Sequence, residues 1–297
     1  MSEQINRTQF SLAHLTVLGC APPEMTYIAA RAGYDYVSYR AIFFGLPNEP
    51  NYELAENKEM LRQTKAALNY TGINLWDIEL ARIYDGLDPK RYVPAMEVAA
   101  ELGGRHVLTS IWTSDRSFAI ECFAELCDLA KPFGLTMNLE FVTWAEVKTM
   151  AEAMRILRAA NRDNAGILVD TLHFHRSRVM LEELDEVPRE WFKFAHLCDA
   201  PSEIPTSKDD LIHTGRDERL YAGEGGINIA EILNRIPEVP YSIELPHLAR
   251  AREYGYAEHA WRCLQTAKDY LAAHSRAARS TPKSCRNESK EVMDCGG

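Results

Sequence analysis

What the chain lacks narrows it first. No apolar run approaches the roughly 20 residues needed to cross a bilayer, so no membrane span is expected. Positive charge is not in excess: 33 Lys and Arg stand against 43 Asp and Glu, a formal charge of -10. That balance excludes a face held electrostatically to phosphate backbones, and with it nucleic acid as a partner. There is no CxxC pair, and the seven cysteines (20, 122, 127, 198, 263, 285 and 295) are odd in number and irregularly spaced. The segment Met1 to Gln9 is polar and has no apolar signal core. Together these features argue against a disulfide framework and a secretion leader, and a reducing cytoplasm is the expected compartment. Nor does a glycine-rich nucleotide loop follow the first strand candidate, Phe10 to Leu18, as it would in a dinucleotide-binding sheet.

What is present is a repeated unit. The chain has 297 residues, 46% of them hydrophobic, enough for a large core. Amphipathic helices at Met25 to Ala32, Met60 to Thr71, Pro94 to Leu102 and Phe118 to Phe133 each run into a glycine and then a short apolar strand. The stops Gly33, Gly72, Gly103 and Gly134 stand 39, 31 and 31 residues apart, and Gly166 follows after 32. Helix-ending glycines take the left-handed conformation that other residues avoid, so this period reads as one β/α unit per repeat. A capping box is expected at Thr143-Trp-Ala-Glu146, opening a helix that runs to about Ala160. Strand candidates at Trp191 to Cys198 and Tyr241 to Leu245 bring the count to eight. The reading is an α/β fold, a single (β/α)8 TIM barrel over residues 1–275, with an open doubly wound sheet as the alternative. Residues 276–297 form a polar, aperiodic tail ending in Cys-Gly-Gly, read as disordered.

In such a barrel, functional groups sit where strands end. Four late strands end in metal-ligand types: Glu140 in Asn-Leu-Glu-Phe, Asp170 in Leu-Val-Asp-Thr, His196 in Phe-Ala-His-Leu and Glu244 in Ser-Ile-Glu-Leu. Three carboxylates and an imidazole brought together in a buried place are costly without a cation. Mostly oxygen ligands with one nitrogen suit Mn²⁺ foremost, with Mg²⁺, Co²⁺ and then Zn²⁺ as alternatives. Trp112 and Trp144 lie just past strand ends and are candidates for an apolar pocket wall. Arg40 and Glu79 end the second and third strands in one plane; they either meet an anionic substrate or pair with each other. His14 is read as a hydrogen-bonded core histidine before a pocket group, and Cys198 as a small buried hydrophobe before a thiolate ligand. His175 and Arg176 stand either as anion binders or as the solvated start of a helix.

The series Glu140, Asp170-Thr-Leu-His173, His196-Leu-Cys-Asp199, Arg219-Leu-Tyr-Ala-Gly-Glu-Gly225 and Glu244, set within about residues 9 to 272, resembles the xylose-isomerase-like barrel superfamily of sugar isomerases and epimerases. The resemblance implies one divalent cation on Glu140, Asp170, His196 and Glu244, with Glu140 and Glu244 also carrying protons to and from the substrate. It implies that His173 and Arg219 hold substrate oxygens, and Asp199 joins them in the substrate-binding set. Ala222 stands where the family's loop has proline. The three-zinc endonuclease branch needs histidines on the second and third strands; here those ends read Val-Ser-Tyr-Arg and Asp-Ile-Glu-Leu, so one metal is expected.

A cation chelating a carbonyl and its neighbouring hydroxyl polarises the C=O and acidifies the adjacent C–H. Returning the proton to the other face is epimerisation, and returning it to the other carbon is isomerisation. Losing a β-hydroxyl instead is dehydration, so a lyase acting on a keto-sugar or a cyclic keto-polyol, of dehydroshikimate or keto-inositol type, is the runner-up. A non-catalytic barrel whose metal only cements the strands is the third reading. The expected partner is a small sugar or polyol; a homo-oligomer is left open.

Overall fold

The computed structural model describes residues 7–45 and 49–274. The expected tail at 276–297 lies outside them. Eight parallel strands close on themselves in chain order: β1 (Phe10–Ala13), β2 (Tyr36–Arg40), β3 (Asn74–Ile83), β4 (His106–Ile111), β5 (Thr136–Glu140), β6 (Ala165–Asp170), β7 (Phe192–Leu197) and β8 (Tyr241–Ile243). The described residues thus build one (β/α)8 TIM barrel, and among them no open sheet edge remains. Helices α1 (Pro22–Ala32), α2 (Lys58–Thr71), α3 (Val93–Glu101), α4 (Arg116–Ala130), α5 (Met150–Ala160), α6 (Thr171–Arg176), α7 (Lys208–Asp217), α8 (Ile229–Arg235), α9 (Leu248–Tyr254) and α10 (Tyr256–Ala273) occupy the connections.

The local signals that the sequence offers are mostly used as read. Gly33, Gly72, Gly103 and Gly134 all have positive φ (92°, 74°, 79° and 70°), the backbone state for which a missing Cβ is an advantage. Gly166 is different: it lies inside β6, not at a helix end. A Cβ there would meet Asn138 Oδ1 at 2.6 Å and the Trp191 carbonyl at 2.8 Å, so close strand approach is what requires glycine. The preceding helix α5 is stopped instead by Asn161, with φ 48°.

The capping box is also displaced. Thr149 caps α5 and Glu152 bonds back to it, while residues 143–146 turn over the end of the barrel. Both stretches fit the Thr-x-x-Glu pattern. Only the second is followed at once by a one-faced apolar stripe, with Met150, Ala153, Met154, Leu157 and Ala160 buried. The first is held in a bend by Val142 N–H donating to the Val147 carbonyl (3.0 Å) and Glu146 N–H donating to the Ile111 carbonyl (3.1 Å). β1 is shorter than expected, because the chain leaves the sheet in a 3-10 turn at His14–Val17. β3 is longer than expected and continues to Ile83, with a register shift against β4 between Ile78 and Ala81.

Two apolar layers follow from strand alternation. Outward residues such as Met137, Leu139, Ile167, Val169 and Ala195 join the large core under the helices. A smaller cluster of Trp76, Leu80, Leu108, Leu168 and Phe194 is separate from it. Leu168 and Phe194 share a strand face with Asp170 and His196, two residues further on, so this cluster plugs the barrel interior beneath the polar ends of the strands.

Candidate functional site

Each of the four expected ligands is the last or next-to-last residue of its strand, or follows it directly, and the register brings them level. Asp170 on β6 is opposite His196 on β7, and Glu244 follows Ile243, the partner of Leu197. The ligating atoms of Glu140, Asp170, His196 and Glu244 all lie within 4.8 Å of one another, and all four residues are buried. His196 Nδ1 stands 3.4 Å from Glu140 Oε1, 3.4 Å from Glu244 Oε2 and 3.9 Å from Asp170 Oδ2.

None of those approaches is a hydrogen bond. Glu140 Oε1 and His196 Nδ1 are buried with no hydrogen-bond partner among the described residues. Polar atoms that converge on one point without bonding to each other would cost several kcal/mol if nothing came between them. A divalent cation fits: it accepts lone pairs from all four, and three oxygens with one imidazole is a donor set for a hard or borderline ion. The hydrogen bonds that hold such ligands in orientation are partly in place. Asp170 Oδ1 accepts the Leu172 N–H at 2.7 Å, where Asp170 caps α6, and Oδ2 accepts Arg219 Nη1 at 2.7 Å.

The protein's own charges treat the two glutamates unequally. Burial pushes Glu140 up to about 7, against the opposing pull of His196. Burial acts on Glu244 too, but Arg219 and then His196 outweigh it and hold Glu244 well below the usual carboxylate range. Arg219 Nη2 meets Glu244 Oε2 at 2.8 Å.

The remaining expected residues divide. His173 is buried at the cavity wall; its Nδ1 faces Thr143, 3.4 Å from the backbone N–H and 3.2 Å from Oγ1, and Trp144 packs edge-on at 4.8 Å. Burial lowers its pKa to about 4, so the ring is neutral; with Nδ1 accepting, Nε2 carries the proton. Arg219 also lines the cavity, but its donors are largely committed: Nε to the Gly215 carbonyl (2.7 Å), Nη1 to Asp170 and the Glu244 carbonyl (3.0 Å), Nη2 to Glu244. Trp112 lines the same cavity, its Nε1 donating to Ser110 Oγ at 2.8 Å, and Trp144 lines it as well.

Asp199 is not brought there. Its carboxylate accepts four backbone N–H groups, those of Ala200 (2.8 Å), Gly223 (3.0 Å), Gly225 (2.9 Å) and Ile227 (3.0 Å). It is occupied in pinning the loop after Arg219, the loop that contains Ala222.

Several two-sided readings resolve. Arg40 Nη2 pairs with Glu79 Oε2 at 3.0 Å. His14 donates or accepts at both ring nitrogens, to the Cys20 carbonyl (2.8 Å) and from the Arg40 N–H (2.9 Å), and is a core histidine. Cys198 is buried and burial pushes its thiol up to about 12, so it is no thiolate. His175 and Arg176 are not the solvated start of a helix and do not line the cavity: they close α6, where Arg176 is buried and its Nη1 bonds to His175 Nδ1 (3.0 Å) and the Pro201 carbonyl (2.8 Å).

The cavity has a volume of about 600 Å³, enough for a small polar molecule. Among the lining groups that escaped the sequence reading are two arginines. Arg82 reaches it because β3 runs past Leu80, a continuation that Ile83 signals; Arg216 reaches it because α7 lies at the mouth, and nothing in the sequence marks that.

A closed parallel barrel with this strand-end set defines a class, and the comparison with known families agrees. The model of the xylose isomerase-like TIM barrel family matches residues 27–264, and the chain belongs to that family. The inosose isomerase of Bacillus licheniformis is 28% identical over 185 residues, 59% of this chain and 64% of the relative. The L-ribulose 3-epimerase of Mesorhizobium japonicum is 26% identical over 162 residues, 52% of this chain and 49% of the relative. The chain therefore matches less than two thirds of the length of either. A crystal structure of the IOLI protein with a zinc atom bound superposes with a TM-score of 0.76 at 19% identity, covering 90% of this chain and 99% of that one, a likeness of fold.

Proposed function

We propose that the chain is an isomerase or epimerase of sugars or sugar-like polyols that depends on one divalent cation and works by proton transfer beside a carbonyl. The observation that carries this reading is the buried convergence of Glu140, Asp170, His196 and Glu244 at a cavity, with Glu140 Oε1 and His196 Nδ1 left without a hydrogen-bond partner among the described residues. The names of the relatives, an inosose isomerase and an L-ribulose 3-epimerase, support the substrate class. Mn²⁺ remains the first choice of metal, with Mg²⁺, Co²⁺ and Zn²⁺ as alternatives, the last kept by the zinc of the IOLI structure.

The cation's contribution, when bound, is Lewis-acid polarisation of the substrate carbonyl. The residues supply the rest. Glu140 and Glu244 come from β5 and β8, on either side of β6 and β7, and serve as the two proton carriers. Arg219 orients Asp170 and Glu244 and keeps Glu244 ionised, while one Nη2 hydrogen is left for a substrate oxygen. His173 presents a neutral Nε2–H donor, and Trp112 and Trp144 exclude water from one side. A cytoplasmic setting is supported by the five described cysteines, all unpaired and buried. Among the described residues no helix is long and apolar enough to cross a membrane.

The test is solvent deuterium incorporation into a panel of ketoses and keto-polyols, with each metal added in turn. Exchange that requires metal and leads to an epimer or isomer supports the reading, whereas exchange with loss of water would assign a lyase. Glu140→Gln and Glu244→Gln keep an oxygen ligand but remove the base, so activity should fall by roughly a hundredfold or more with metal partly retained. Near-parental turnover by both variants would place the proton carriers elsewhere.

A further inference from the structure

Arginines whose charge has no protein partner mark where an anion arrives. Arg82 and Arg216 both line the 600 Å³ cavity. The Arg82 guanidinium is sandwiched between the rings of Phe44 and Trp112, 4.4 Å from each centroid. Its Nε is buried with no hydrogen-bond partner. Among the described residues neither Arg82 nor Arg216 has a carboxylate within ion-pair distance, in contrast to Arg40, which has Glu79 at 3.0 Å and Glu49 at 3.5 Å.

The acids that do influence them, Glu49 and Asp217, line the same cavity but bond to other groups. Glu49 accepts from Arg40 and from the Phe44 N–H (3.2 Å), and Asp217 meets His213 Nδ1 at 3.0 Å. Burial, then the nearness of Arg216 and Arg40, lowers the pKa of Arg82 to about 10. Burial and then Arg40 lower that of Arg216. Packing alone explains the aromatic sandwich around Arg82, but not a second cation at the same cavity in a chain of net charge -10. Two partly desolvated guanidinium groups that line one cavity, Arg216 near enough to lower the pKa of Arg82, gain nothing from each other, and they offer the forked donors that bind a carboxylate or phosphate.

Building on the reaction proposed above, we propose that the substrate carries a compact oxyanion, a carboxylate or a phosphate ester, and that Arg82 and Arg216 receive it. Glu140 and Glu244 line the same cavity, so the anion would anchor one end of a molecule whose carbonyl end reaches the four-residue set. The resulting specificity is for anionic sugar derivatives over neutral ones of equal length.

The first arm of the test needs no turnover: inorganic phosphate and acetate are each titrated calorimetrically into the full chain in EDTA. Binding by the parent, weakened roughly 10- to 100-fold in Arg82→Met and in Arg216→Met, is expected for the loss of one charge-assisted pair of hydrogen bonds. Methionine keeps the packing between Phe44 and Trp112. Arg82→Lys, which keeps the charge without the fork, should fall between, and it guards against misfolding of the methionine variants. Whichever probe binds more tightly identifies the oxyanion.

The second arm compares deuterium exchange, as kcat/KM, for neutral, carboxylated and phosphorylated ketoses of matched length with metal present. The anionic members should lead, and each methionine variant should erode that lead. If neither probe binds, or if binding is unchanged in both methionine variants, or if neutral ketoses exchange as well as anionic ones, the anion site is wrong while the proposed reaction stands. If no ketose exchanges but phosphate or acetate binds and the variants lose it, the anion site stands and the reaction is wrong.

Discussion

Arg219→Met tests the electrostatic logic of the centre most directly. In the parent, the guanidinium is buried and bonded to Asp170 Oδ2 at 2.7 Å and Glu244 Oε2 at 2.8 Å. Methionine keeps most of the stem volume and removes the charge. The carboxylates that remain are buried and lose their nearest cation, and breaking a buried pair in this way costs about 3–5 kcal/mol. At the lower conversion of about 2 °C per kcal/mol, which suits a chain this long, the melting temperature should drop by about 6–10 °C. Two conditions should recover part of the loss. Saturating Mn²⁺ replaces the missing positive charge, and lowering the pH protonates the stranded carboxylates. Urea unfolding of parent and variant in EDTA and in excess Mn²⁺, at pH 5 and pH 8, reads all of this. The gap should be widest in EDTA at pH 8. A loss below about 1 kcal/mol, or one identical with and without metal at both pH values, would refute the claim that these carboxylates share a cation-dependent site.

His173→Ala should lower kcat/KM by roughly tenfold, the worth of one hydrogen bond to substrate, with metal stoichiometry unchanged; metal analysis showing loss of the ion would put His173 among the ligands. Gly166→Ala should destabilise the barrel by about 1–3 kcal/mol, because the new methyl meets the Trp191 carbonyl, which is backbone and cannot step aside; unfolding curves that superpose on the parent's would contradict that close approach. Asp77 is buried beneath the site, its Oδ2 accepting from Ser38 Oγ at 2.7 Å, and burial raises its carboxyl from 3.8 to about 7. A raised native pKa means that the folded state holds more protons than the unfolded one between about pH 4 and 7, so its contribution to stability is lost as pH rises through that window, on the order of 1.4 kcal/mol per unit. In EDTA, Asp77→Asn should therefore gain on the parent from pH 4 to pH 7, and parallel pH profiles would show that Asp77 does not titrate there.

Much of the scaffold is written locally. The glycine stops at 33, 72, 103 and 134 need only their own backbone state, and strand alternation needs only neighbours two residues away, so the count of β/α units and the strand ends that carry Glu140, Asp170, His196 and Glu244 follow from short-range pattern. The same reasoning misplaces what depends on distant neighbours. Gly166 looks like another helix stop until Asn138 and the Trp191 carbonyl are seen beside it, and Thr143-Trp-Ala-Glu146 looks like a helix start until β4 is seen bonding the bend.

The cavity lies furthest from local signals. Asp199 sits in a stretch with the right residue types, yet the Ala200 amide and three backbone amides from a loop more than twenty residues on consume its carboxylate. Arg219 reads as a substrate arginine, and the fold sets it against two acids from different strands. Arg82 and Arg216 come from β3 and from α7, more than a hundred residues apart, and acquire their shared place only when the barrel closes and the helix settles at its mouth. The sequence by itself determined the barrel and the residues able to hold a cation, because strand ends and helix stops are set by nearest neighbours. Only the tertiary structure decided which polar groups are left without a partner, because hydrogen bonds and burial are shared out among residues that meet only in the folded chain.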